Sequence, residues 1–193
     1  MKWDFSQIKV LVIGDFMLDH YTIGISDRVS PEAPVPVIIP SKEYSIPGGA
    51  GNVAMNLRSI GANVTCVGVV GDDLWGEKLL SQLNKNGINT DGIHVIKGHQ
   101  TTLKKRIYSD GKQVARIDIE NVQEFTTSFS SIGDYDVCLI SDYNKGVIKN
   151  SQFNSELIIV DPKKNDFSFY KNANIITPNL DELKKVSNVN IQD

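Results

Sequence analysis

Gly48-Gly49-Ala50-Gly51-Asn52-Val53-Ala54-Met55-Asn56-Leu57-Arg58-Ser59-Ile60-Gly61 is the stretch on which the reading of this chain turns. Its leading glycines let the backbone turn sharply and lie close to a polar ligand. The residues behind them repeat apolar groups at helical spacing, so the stretch predicts a glycine loop feeding a helix over Gly51 to Ile60. A helix N-terminus carries unpaired N–H groups and the positive end of the helix dipole, which suits a phosphate or a sugar oxygen. The loop lacks the Gly-Lys-Ser/Thr ending of a P-loop. It is also read as not following directly on a strand, so the dinucleotide fingerprint fits poorly as well.

Around it, short apolar runs recur at Val10 to Ile13, Val64 to Val70, Val137 to Ile140, Leu157 to Val160 and Ile175 to Thr177. Such continuous runs read as buried parallel strands. A second helical pattern, carried by Leu74, Leu79, Leu80 and Leu83, runs between Asp73 and Asn86 and ends at Gly87. Strand and helix alternate, which predicts an open α/β sheet with helices on its faces. Two regions break the alternation. Tyr21 to Tyr44 is interrupted by four prolines, and Thr101 to Ile119 reads as a hairpin around Asp110-Gly111. These strands are expected to form a separate small antiparallel sheet, which either covers a ligand site or stands exposed.

The sequence has 193 residues, enough for one sizeable core, and a formal net charge of −3 with acidic and basic residues interspersed. This balance disfavours nucleic acid as a partner. No segment is apolar enough for a membrane span or a signal peptide, so a cytoplasmic protein is expected. Cys66 and Cys138 each sit in a strand-like run and are expected as buried free thiols.

In open α/β sheets ligands bind beyond the carboxyl ends of the strands. The polar residues there are Asp15 and Asp19, Asp142 with Lys145, Asp161 with Lys163, and Asn179 with Glu182. Taken singly each is an ordinary loop or capping residue: Asp15 suits a turn, and Asn179 with Glu182 suits a capping box. Lys104 and Arg106 lie two residues apart on one strand face, with Arg116 on the hairpin partner. They make either a phosphate grip or a solvated basic face. His20, His94 and His99 have no metal-ligand spacing, and no serine or cysteine sits in a nucleophile motif.

The glycine stretch at residues 48–62, followed by VGVVGDDLWGEKLLSQLNKNGINTDGI at 67–93, resembles the first signature region of the ribokinase-like (PfkB) carbohydrate kinases. Within that family, VLVIGDFMLDHY at 10–21, SDRVSPEAPVPVI at 26–38, TTLKKRIYSDGKQVARID at 101–118, SDYNKG at 141–146, DPK at 161–163 and TPNLDE at 177–182 look like the heptose 7-phosphate kinase branch. The resemblance implies a Rossmann-like, mostly parallel α/β sheet with flanking helices and a small β lid. It implies one partial kinase domain over residues 1–193, with lid segments about 21–46 and 94–119. It further implies ATP as co-substrate, Mg²⁺ as cofactor, and D-glycero-β-D-manno-heptose 7-phosphate as acceptor at its anomeric hydroxyl, feeding ADP-heptose and lipopolysaccharide core synthesis.

Carried over by position, Asp19, Gly48, Gly49 and Asn52 would bind sugar hydroxyls, and Lys104 and Arg106 the 7-phosphate. Asn179 and Glu182 would lie near the nucleotide phosphates and magnesium. Asp142, Lys145, Asp161 and Lys163 would line the cleft without an assigned role. The resemblance also implies a homodimer through the lid, or a partner chain that supplies what is missing.

Two departures stand out. The family's base lies in a Gly-x-Gly-Asp motif, and no glycine follows Glu182. Gly71-Asp72 and Gly133-Asp134 match only the last two residues and come too early. The sequence is therefore expected to be C-terminally incomplete. Secondly, Ser141 to Glu156 is short for a parallel crossover with a full helix, which suggests an internal loss. Three readings remain: a heptose 7-phosphate kinase domain in an incomplete chain, a non-catalytic sugar-phosphate-binding remnant, or a PfkB kinase for another sugar.

Overall fold

The computed structural model describes residues 4–125, 134–148 and 155–186. Strand β1 (Lys9–Gly14) lies inside a sheet and is buried on both sides, with Val10 and Val12 in one core cluster and Leu11 and Ile13 in the other. One residue later the chain enters β2 (Phe16–Ile25), and after a proline-rich excursion it returns in β3 (Ile39–Gly49). There follow α1 (Ala50–Ser59), β4 (Asn63–Gly71), α2 (Leu74–Lys85) and β5 (Asn89–Ile96). Next come β6 (Thr102–Ser109), β7 (Lys112–Ile119), β8 (Val137–Ser141) and β9 (Leu157–Asp161). A 3-10 turn (Phe167–Tyr170), β10 (Ile175–Ile176) and α3 (Leu180–Val186) complete the described chain.

Six strands form a parallel sheet in the order β10-β9-β8-β1-β4-β5. The other four form a second sheet in the order β3-β2-β6-β7. That sheet is mixed, where the sequence reading expects antiparallel pairing alone: β2 pairs with β3 and β6 with β7 antiparallel, but β2 and β6 are parallel. The reason is geometric. β1 and β5 are parallel members of the first sheet, so β2 and β6, which follow them, leave from the same edge in the same direction. The Asp110-Gly111 turn joins β6 to β7 with positive φ at both residues, 51° and 78°, as a tight hairpin of this hand requires.

The glycines differ from the sequence reading in one respect. Gly48 pairs with Met17 and Gly49 with Phe16, so they are the last residues of β3, and α1 begins immediately at Ala50. A strand does therefore lead directly into this helix. It belongs to the second sheet, however, and not to a parallel βαβ unit. β5 is a further addition, since its run is broken by Asp91, Gly92 and His94. An edge strand with one neighbour tolerates such residues. β8 and β9 pair in parallel from Val137 opposite Leu157 to Ser141 opposite Asp161. The expected short crossover between them includes residues 149–154, which lie outside the described residues, as does Gly133.

One core cluster packs Val10, Val12, Phe16, Leu18, Val64 and Val70 against Ala54 of α1 and Leu79 and Leu83 of α2. The other packs Leu11, Ile13, Val67, Ile140 and Val160 against Phe125, Val147, Ile148 and Tyr170. Among the described residues no helix is long and apolar enough to cross a membrane. Cys66 lies in the first cluster and Cys138 in the second, both buried and free, and burial pushes both thiols up to about 12. Neither thiol should react with Ellman's reagent in the native protein at mildly alkaline pH, and both should react after unfolding in guanidinium chloride. Rapid native reaction of either would contradict this packing.

Candidate functional site

The site is organised around the single residue between β1 and β2. Asp15 is 2% exposed, its N–H donates to the Ser141 carbonyl at 3.1 Å, and its own carbonyl accepts from Ala50 N–H at 3.1 Å. Its carboxylate accepts backbone N–H groups from the loop after β8: Tyr143 at 2.7 Å and Lys145 at 3.1 Å on Oδ2, and Val147 at 3.4 Å on Oδ1. Burial raises this carboxyl above its ordinary value, while those N–H bonds pull it back. One residue thus ties the β1 end, the start of α1 and the β8 loop together.

On β2, Asp19 and Tyr21 face the same way, since strand side chains alternate. β6 runs alongside with Lys104 opposite Asp19 and Arg106 opposite Tyr21. Arg106 Nη1 donates to Asp19 Oδ1, and its guanidinium lies 5.4 Å from the Tyr21 ring centre. Arg116 of β7 sits opposite Arg106, but its Nε pairs with Asp118 Oδ1 at 2.9 Å. Gly48 is needed for this packing, because a Cβ there would lie 2.5 Å from Asp19 Oδ2. Gly49 has φ of 54°, and a Cβ there would lie 2.5 Å from the Asp15 carbonyl oxygen. As N-cap of α1 it offers no side-chain hydrogen bond to the helix start, where Asn52 lies exposed in the first turn. Sequence reasoning therefore places Asp19, Gly48, Gly49, Asn52, Lys104 and Arg106 in one neighbourhood of the fold, and the structure holds Asp19 and Arg106 as a partly buried ion pair.

The strand ends of β8 and β9 carry the rest. Asp142 is buried, accepting the Tyr170 hydroxyl at 2.6 Å and the Asn144 N–H at 2.6 Å, so its carboxylate braces the loop. Lys145 turns its ammonium to Glu120 at the end of β7. Lys163 Nζ donates to Glu182 Oε1 at 2.9 Å. Asn179 and Glu182 form the reciprocal capping box: Glu182 N–H donates to Asn179 Oδ1 at 2.9 Å, and Asn179 N–H to Glu182 Oε2 at 3.0 Å. Burial alone would raise the Glu182 carboxyl, but Lys163 and Asn179 outweigh it and hold it below its ordinary value. Asp161 is raised, by burial first and then by the Glu182 charge.

Tyr143 went unremarked in the sequence reading. Half-buried, with Lys104 Nζ 5.7 Å from its ring centre, it feels the charges of Asp161, Asp19, Lys163 and Glu182, and burial raises its phenol. Its only sequence signal is its place just after the strand-end Asp142. The opposite face of β2 carries an open groove of about 510 Å³ against α2, lined by His20, Ser45, Lys78 and Gln82 among others, which holds none of the expected site residues. Among the described residues no three His, Cys, Asp or Glu side chains cluster as a metal cage.

A family model described as pfkB family carbohydrate kinase matches residues 7–193. The chain is 43% identical over 197 residues to the bifunctional protein HldE of Helicobacter pylori strain J99, covering 92% of this chain and 42% of that protein. It is 40% identical over 207 residues to the HldE of Desulfatibacillum aliphaticivorans, covering 98% of this chain and 42% of that one. The chain thus spans about two fifths of the length of these curated relatives. Among solved structures, a putative ribokinase from Agrobacterium tumefaciens superposes with a TM-score of 0.71 at 19% identity, over 95% of this chain and 63% of that one. Arabidopsis thaliana ribokinase complexed with ribose and ATP superposes with a TM-score of 0.65 at 17% identity, over 93% and 62%.

Two outcomes test the site geometry. Gly49→Ala should cost about 2–4 kcal/mol of stability through backbone strain and a carbonyl clash, whereas Gly48→Ala should cost less, about 1–2 kcal/mol, because only side chains, those of Asp19 and Met17, must give way. Urea unfolding of both variants measures this, and equal losses would contradict the assignment. Because the folded Glu182 carboxyl lies below its ordinary value of 4.5, its contribution is present above that pH and lost as pH falls through the folded value. Glu182→Gln should therefore flatten the loss of stability on acidification to about pH 3, measured by unfolding midpoints.

Proposed function

The chain belongs to the pfkB family of carbohydrate kinases, and from that premise we propose that it carries the acceptor-binding part of a kinase for D-glycero-β-D-manno-heptose 7-phosphate. The reaction proposed for the whole protein transfers the γ-phosphoryl group of ATP to the anomeric hydroxyl. The observation that carries the reading is the convergence of Asp19, the β3 glycines and the uncapped α1 start with Lys104 and Arg106 on the neighbouring strand. A carboxylate and free helix N–H groups suit sugar hydroxyls, and two cations nearby suit a phosphate. The likeness to the two HldE proteins supports heptose 7-phosphate over other sugars.

Phosphoryl transfer asks the protein for positioning and charge neutralisation more than for covalent chemistry. On this reading Asp19, Gly48, Gly49 and Asn52 orient the sugar, and Lys104 and Arg106 hold its 7-phosphate. Asn179 and Glu182 face the nucleotide phosphates, with Lys163 supplying positive charge beside them. Asn179 and Glu182, with oxygen atoms suited to a hard cation, would lie near a magnesium ion carried by those phosphates. When bound, such an ion would neutralise charge on the phosphoryl group. Two copies would associate through the second sheet, which exposes Ile46 on its Asp19 face and Ile117 on the opposite face. For residues 1–193 themselves, which contain no Gly-x-Gly-Asp segment, the activity proposed is acceptor binding.

Isothermal titration of the 193-residue chain with heptose 7-phosphate tests this. Asp19→Ala and Asn52→Ala should each weaken binding about tenfold or more. Lys104→Ala should weaken binding of the phosphorylated sugar more than that of the unphosphorylated heptose. Tighter binding of fructose 6-phosphate or ribose 5-phosphate would replace heptose as the acceptor.

A further inference from the structure

The loop after β8, at the end of the parallel sheet, carries the Tyr143 ring up to Lys104 of the second sheet. We propose that the Tyr143 ring is a further acceptor-contacting surface, the floor on which the apolar face of the sugar packs, and that Asp15 is the residue that positions it. The proposal rests on the acceptor-site reading above.

Three observations converge on this. Firstly, Tyr143 is fixed by its backbone: its N–H meets Asp15 Oδ2 at 2.7 Å, and the N–H groups of Lys145 and Val147 at 3.1 and 3.4 Å secure the same loop. The Asp15 carbonyl takes the Ala50 N–H, so the floor and the glycine end of β3 hang from one residue. Secondly, the ring is half-buried and lies beneath the Lys104 ammonium, at 5.7 Å from its centre. A ring so placed is preorganised by a cation on the lid side. Thirdly, charges from both sheets act on its phenol, Asp161 first, then Asp19, Lys163 and Glu182. Pockets that hold a polar ligand combine a few oriented polar groups with an aromatic wall. Asp19, Asn52 and Lys104 are the polar groups here, and Tyr143 is the wall.

The test titrates heptose 7-phosphate into the wild-type chain, Tyr143→Ala, Tyr143→Phe and Asp15→Asn, with thermal unfolding of each. Tyr143→Ala should bind about tenfold more weakly, Tyr143→Phe within about twofold, and both should be fully folded at the titration temperature. Bound sugar phosphate should slow nitration of Tyr143 by tetranitromethane in the wild type. That protection should shrink in Asp15→Asn, because the amide keeps only one acceptor oxygen for the three N–H groups.

Unchanged affinity in Tyr143→Ala overturns the proposal, as does a loss accounted for by the fraction unfolded at the titration temperature. Undiminished protection in Asp15→Asn overturns the positioning role. If the wild type binds fructose 6-phosphate or ribose 5-phosphate and not heptose 7-phosphate, the heptose reading fails. The Tyr143 assignment then stands only if Tyr143→Ala weakens binding of that sugar. Binding of none of the three overturns both.

Discussion

The carboxylate of Asp15, buried and held by three backbone N–H groups, is the interaction on which the rest of this structure depends. A buried carboxylate without partners would be costly, so its presence is tolerable only because the loop after β8 wraps around it. The same residue is the whole connection between β1 and β2. The parallel sheet and the second sheet therefore share a joint one residue long, and the position of Asp19, four residues on, is set by the frame of β1.

Charge in the site is largely paired within the protein. Arg106 is held by Asp19, Lys163 by Glu182, Lys145 by Glu120, and Asp142 accepts from Tyr170. Such pairing keeps long side chains in single geometries and lowers the entropy that a ligand must remove on binding. It also sets a condition on recognition: an anion reaching Arg106 shares a guanidinium with Asp19, while the Lys104 ammonium meets only a ring in the contacts described.

Much of this was legible in the sequence, for identifiable reasons. Val10 to Ile13 reads as a buried strand because both of its faces are covered, and Asp110-Gly111 reads as a hairpin because both residues adopt positive φ. Asn179 and Glu182 match the capping box that the structure contains. β5 escaped the pattern because an edge strand need not be apolar on both faces. The parallel pairing of β2 with β6 escaped it because register between strands 87 residues apart, as in the Arg106 to Asp19 hydrogen bond, leaves no local periodicity. Asp15 read as a strand-end candidate or a turn residue, since nothing near it in sequence announces N–H donors from the loop after the neighbouring strand β8.

Those donors lie 128, 130 and 132 residues away along the chain. Contacts of such separation carry a large loop-closure cost and form only when most of the topology is in place. A chain folded through β5 would already possess the glycines and Asp19, yet the Asp15 carboxylate would still lack its enclosing loop. On the proposed acceptor-site reading, competence to bind is accordingly a late product of folding, and a ligand of this site would select the completed topology over every partly assembled form.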